Sequence, residues 1–116
     1  MEKFMYLFRG GVNHAHNAQD SEAAKKNMQV WMTWMKGLGE KGILAGGEPL
    51  QPTGKNVNGK KKIVSDGPFT EAKEMVGGYL IVNAKDINEA VELSKGCPIF
   101  EEDGNVEIRQ LQKMEM

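Results

Sequence analysis

Lys3-Phe4-Met5-Tyr6-Leu7-Phe8-Arg9 decides the fold. Successive side chains of a strand point to opposite faces, so Phe4, Tyr6 and Phe8 lie on one side and Met5 and Leu7 on the other. Both sides are apolar. Tyr79-Leu80-Ile81-Val82 repeats the pattern, and two such strands belong in a sheet covered on both faces. Working outward, Gly10-Gly11 ends the first strand, and a polar loop with His14 and His16 runs to Asp20-Ser21, either of which can cap a helix whose first turn carries Glu22. That helix shows an apolar stripe of Ala24, Met28, Trp31, Met35 and Leu38, widened by Met32 on one flank and by Val30 and Trp34 on the other, and Gly42 stops it. Ile43-Leu44-Ala45 begins a short strand that Gly46, Gly47 and Pro49 interrupt, and the stretch to Gly59 reads as a long hairpin loop. Asn58-Gly59 has tight-turn chemistry before a returning strand from Lys61 to Ser65.

Asp66-Gly67-Pro68-Phe69 reads as a turn, Thr70 to Val76 as one or two helical turns, and Gly77-Gly78 as a breaker. Asp86-Ile87-Asn88-Glu89 resembles a capping box and starts a second helix with Ile87, Ala90, Val91 and Ser94 on one face, closed by Gly96 and Pro98. Val106, Ile108 and Leu111 mark a last strand, with Glu107 and Arg109 alternating outward. The order is that of a split βαβ, an α+β ferredoxin-like fold whose helices cover one face of an antiparallel sheet. The other face needs a cover. A second copy of the same sheet supplies it, so the expected assembly is a two-fold homodimer.

A chain of 116 residues, 40% hydrophobic and 27% charged, is expected to fold as one domain. No apolar run approaches the roughly 20 residues that cross a bilayer. The single cysteine, Cys97, excludes an internal disulfide, no Asn-x-Ser/Thr acceptor occurs, and a reducing cytoplasm is the simplest compartment. Residues 1–62 hold ten Lys/Arg against five Asp/Glu and residues 63–116 five against eleven. The only dense basic run, Lys60-Lys61-Lys62, suits a solvated hairpin edge, and neither a nucleic acid nor a membrane is an expected partner.

Asp66-Gly67-Pro68-Phe69, followed by Glu71, Lys73 and Glu74 and then Gly77-Gly78-Tyr79, resembles the signature of the DGPF branch of the YCII-related proteins. The likeness extends to Tyr6-Leu7-Phe8-Arg9-Gly10-Gly11, the Trp31 and Trp34 helix, Cys97-Pro98 and Val106-Glu107-Ile108-Arg109, and so spans nearly the whole chain. Gln110 follows Arg109 where members commonly carry proline. The resemblance implies a ferredoxin-like fold paired into a dimeric α/β barrel, and it implies bacterial relatives, most without an assigned activity. A family name is not a function.

Candidate chemistry concentrates in two places. Asp66, Glu71 and Glu74 lie within nine residues, and one of them in a dry cleft is a candidate proton carrier, Asp66 or Glu71 first. The same acids equally suit a turn and a helix start. Arg9 and Arg109, in strands side by side or one apart, can hold an anion, or can pair with Glu107 or Asp66 as scaffold. Trp34, at the edge of its stripe, is a candidate pocket wall. His14, His16 and Asp20 lack the spacing of a metal site, Cys97 has no activating neighbour, and Gly37-Leu38-Gly39-Glu40-Lys41-Gly42 ends a helix where a dinucleotide loop would begin one. No metal and no cofactor is called for. The first expectation is a small-molecule-binding homodimer, with Asp66 or Glu71 as proton carrier and Arg9, Trp34, Glu74 and Arg109 around the substrate if it is a cofactorless enzyme. The rival is a non-catalytic ligand-sensing or protein-interaction module, since DGPF-like domains resemble partners of bacterial sigma factors.

Overall fold

The computed structural model describes residues 1–10, 22–67 and 75–114. Six strands and two helices follow in the order β1 (Glu2–Arg9), α1 (Glu22–Glu40), β2 (Leu44–Pro49), β3 (Gly54–Asn58), β4 (Ile63–Gly67), β5 (Val76–Ala84), α2 (Ile87–Ser94) and β6 (Asn105–Gln110), with a 3-10 helix at Pro98–Glu102. Four strands form an antiparallel sheet in the order β2-β5-β1-β6, so the two double-faced strands are its central pair. This α+β arrangement, with two helices on an antiparallel sheet, is that of a ferredoxin-like fold.

Register assigns the faces. Phe4 lies opposite Val82, Tyr6 opposite Leu80, and these residues are buried together with Phe8, Ala84, Ala90 and Leu38. Both helices cover this side: Phe8 meets Trp31 and Trp34 of α1, and the Tyr6 hydroxyl donates to the Ala90 carbonyl of α2 at 2.5 Å. On the opposite side Met5 lies across from Ile81 and Arg109, and Leu7 across from Tyr79 and Glu107. Met5, Leu7, Tyr79 and Ile81 make a half-buried apolar patch that no described element covers.

Four local expectations are corrected. Gly77-Gly78 is not a breaker but part of β5, where a Cβ on Gly78 would stand 3.1 Å from the Glu48 carbonyl oxygen and 3.2 Å from the Cα of Pro49. The missing side chain lets β2 approach. Val76 begins the strand instead of ending a helical turn, Met75 before it belongs to no element, and residues 70–74 lie outside the described residues. The loop up to Gly59 contains β3, whose pairing of Asn58 with Ile63 leaves Lys61 and Lys62 in a four-residue turn and carries Asp66 and Gly67 inside β4. Met28, expected in the α1 stripe, is 68% exposed. The inward residues are Asn27, Trp31, Trp34 and Leu38, spaced 4, 3 and 4, with Met35 packed alongside.

At the start of α2, Asp86 caps the helix by accepting from the Glu89 amide at 2.9 Å, while the Glu89 carboxylate accepts from the Lys85 amide at 2.9 Å. Asp86→Ala is expected to cost about 1 kcal/mol in urea unfolding, the ordinary penalty for an uncapped amide. An unchanged midpoint would count against the cap.

Candidate functional site

Aromatic side chains gather where the end of β1 meets the middle of α1. Phe8 projects from β1 into the helix, and its ring meets Trp31 at 5.2 Å between centroids and Trp34 at 6.4 Å. The two indoles lie 6.0 Å apart, and all three pairs are edge-to-face. Edge-to-face contacts of this kind set the positive edge of one ring against the negative face of the next. One turn before Trp31, Asn27 donates through Nδ2 to the Glu102 carboxylate on the 3-10 helix. Among the described residues its Oδ1 is buried without a hydrogen-bond partner, and so is Nε1 of Trp31. Leaving a buried polar atom unpaired costs about 1–3 kcal/mol, so an acceptor and a donor on neighbouring turns of one helix face invite a polar guest.

Sequence reasoning missed Asn27, because a search for apolar periodicity passes over an amide. The signal is present nonetheless: Asn27 heads the same 4-3-4 spacing that Trp31, Trp34 and Leu38 continue.

Of the expected site residues that are described, the structure brings only Trp34 into this cluster. Arg9 alternates to the opposite sheet face and pairs with Glu107, their side chains 27% and 43% exposed. Arg109 lies on that same face, across from Met5, and is exposed. The two arginines thus share the uncovered face with the Met5-Leu7-Tyr79-Ile81 patch and stand across the sheet from the tryptophans. Asp66 sits on β4 with its side chain 89% exposed and ion-paired to Lys55. Glu71 and Glu74 lie outside the described residues, as do His14, His16 and Asp20.

Two buried acids in the core are neutral at physiological pH. Burial pushes the Tyr6 phenol up to about 12 and the Cys97 thiol up to about 12, the latter despite a hydrogen bond from the Ile99 backbone. A thiol in that state is a small apolar filler, not a nucleophile. Among the described residues no three His, Cys, Asp or Glu side chains are placed to hold a metal ion. An open groove lined by Glu2, Gln110, Leu111, Gln112 and Lys113 lies at the far end of β1 and β6 from the aromatic cluster. No described helix is long and apolar enough to cross a membrane.

The sequence profile of the YCII-related domain matches residues 11–115. None of the curated proteins matches. Among solved structures, the chain is similar to 5-chloro-2-hydroxyhydroquinone dehydrochlorinase from Burkholderia phenoliruptrix AC1100, solved in complex with 2,5-dihydroxybenzoquinone. The TM-score is 0.51 at 15% identity, over 95% of this chain and 93% of that one. At that identity the likeness speaks for the fold.

Proposed function

The chain belongs to the YCII-related family, and from that premise we propose that it is a cytoplasmic, single-domain homodimer binding a small, flat, polar organic molecule against Phe8, Trp31 and Trp34. The observation that carries this reading is the unpaired Asn27 Oδ1 and Trp31 Nε1 beside three edge-to-face rings. A hydroxyl can accept from the indole N–H and donate to the amide oxygen at once, while a flat ring fits the aromatic walls. The structural neighbour's ligand, a dihydroxylated quinone, has that character.

Isothermal titration with 2,5-dihydroxybenzoquinone and with hydroquinone tests it. Saturable heat is expected with at least one, and Trp31→Phe and Asn27→Leu should each weaken binding about tenfold, the equivalent of one lost hydrogen bond. Absence of saturable heat up to millimolar ligand would overturn the reading.

If the bound molecule is turned over, the chemistry is cofactorless proton transfer, with Glu71 or Asp66 as carrier and Glu74 beside the substrate. Asp66 must leave its Lys55 pairing to serve, so Glu71→Gln carries the larger expected loss. The solvated Asp66, together with Met28, Val30 and Met32 exposed along α1, favours the second reading, a non-catalytic interaction module. Glu71→Gln and Asp66→Asn variants that bind and act as the parent does would favour that module.

The uncovered face of the sheet supports the sheet-to-sheet dimer, the barrel form of the fold, with Arg9 and Arg109 at its apolar patch. Leu7→Asp should abolish dimerisation at micromolar concentration by sedimentation, because it buries an unpaired carboxylate in the seam. Leu80, only 6% exposed on the helix-covered side, is a folding residue by contrast. An unchanged dimer from Leu7→Asp would sink this arrangement.

A further inference from the structure

The β3–β4 hairpin forms a two-stranded sheet separate from the other four strands. Its cross-strand pair Val57 and Val64 is 64% and 62% exposed, and Ile63 is 61% exposed. An isolated two-stranded hairpin is marginal in water, and one with bare β-branched residues gains most from being covered. Its charge says by what. Residues 54–67 carry four lysines against one aspartate, three of them, Lys60, Lys61 and Lys62, exposed at the tip. Residues 85–107 carry seven acids against two lysines, and there the 3-10 helix exposes Phe100 by 45% between exposed Glu101 and Asp103. The hairpin offers an apolar strip with a basic tip, and the 3-10 helix an apolar ring with acidic flanks. Among the described residues the two do not meet, and both apolar surfaces stand open.

We infer that the hairpin is an exchange arm: the Val57–Val64 strip and lysine tip of one copy dock on Phe100, Glu101 and Asp103 of a second copy. Donor and acceptor occur once in every chain, so a two-fold operation satisfies both reciprocally. Charge of opposite sign steers the encounter and sets the register, and the apolar contact excludes water at its centre. This surface is distinct from the Met5-Leu7-Tyr79-Ile81 face.

The test uses zero-length carbodiimide cross-linking of an equal mixture of unlabelled and nitrogen-15-labelled protein, with sedimentation alongside. Cross-links from Lys60–Lys62 to Glu101 or Asp103 are expected in mixed-isotope peptides, and they should fade in molar salt. A chain with Lys60, Lys61 and Lys62 all replaced by Glu, or one with Glu101→Lys and Asp103→Lys, should lose about tenfold or more in the salt-sensitive association. A chain carrying both reversals should return to within about threefold of the parent. All these side chains are exposed, but Lys62 and Asp103 stand at positive φ, so circular dichroism accompanies each variant to show that it keeps the parent fold. Cross-links confined to single-isotope peptides, links to other acids only, or a doubly reversed chain as weak as either single reversal would overturn the inference.

Discussion

Gly47→Ala is expected to lower stability by about 3 kcal/mol or more and to detach β2 from the sheet. Gly47 holds φ at +148°, a conformation side chains rarely adopt. A Cβ there would lie 2.5 Å from the Tyr79 carbonyl oxygen and 2.8 Å from the Cα of Leu80, besides meeting the Leu80 side chain. Backbone atoms of the central strand cannot move aside, and Leu80 is part of the core. The relief is for the edge strand to peel away, breaking its pairing from Leu80 to Gly78. Gly46→Ala, one residue away with nothing within 4 Å of its Cβ position, should stay within about 1 kcal/mol of the parent. Urea unfolding of the two variants checks the contrast, and equal losses would show that the close approach at Gly47 is not what constrains the strand.

The second large effect is alkaline. Tyr6 ordinarily ionises at 10.0 and Cys97 at 9.0, yet burial holds both near 12 in the folded protein. Each native group therefore grips its proton more tightly than the unfolded chain does. Their contribution is fully present below about pH 9 and is lost as pH rises toward 12. From Tyr6 alone the loss amounts to about 3 kcal/mol, comparable with a large part of a small protein's stability. Tyr6 adds the cost of breaking its hydrogen bond to Ala90 once the phenolate forms. Urea midpoints measured from pH 8 to about pH 11.5 should fall steeply in the upper half of that range, and Tyr6→Phe and Cys97→Ala should each flatten the fall. A midpoint indifferent to pH across that range would refute the assignment.

The frame of the molecule was legible where one periodicity dominated. Lys3 to Arg9 and Tyr79 to Val82 announce central strands because an apolar residue on both faces has no other economical home. Asp86 and Glu89 announce a helix start because their short-range bonds need no tertiary context. Legibility failed where tertiary contact overrode local preference. Gly77-Gly78 looks like punctuation in isolation, and only the backbone of β2 lying against Gly78 reveals a strand that has given up a side chain. Met28 fits an apolar stripe, but the helix meets the 3-10 helix through Asn27, rotating the contact face by one residue. The cluster was half visible: Trp34 stood out by its place in the stripe, whereas Asn27 and the unpaired Trp31 nitrogen matter only once burial is known. Arg9 and Arg109 were read as one group, and strand alternation does put them on one face, away from the tryptophans.

The bond between the Tyr6 hydroxyl and the Ala90 carbonyl joins positions 84 residues apart. β1 is made first on the ribosome, yet it lies between β5 and β6, the last two strands to appear. Until residue 76 has emerged there is no strand for it to pair with, and until residue 110 has emerged one of its edges stays bare. This segment, rich in Phe, Tyr and Leu, must therefore wait until β5 and β6 have been made with its backbone groups and both apolar faces unsatisfied. Non-local pairing of this kind folds slowly and exposes the chain to aggregation meanwhile. The nascent protein thus has a built-in interval in which a chaperone has something to hold, and truncation before β6 would make that interval permanent.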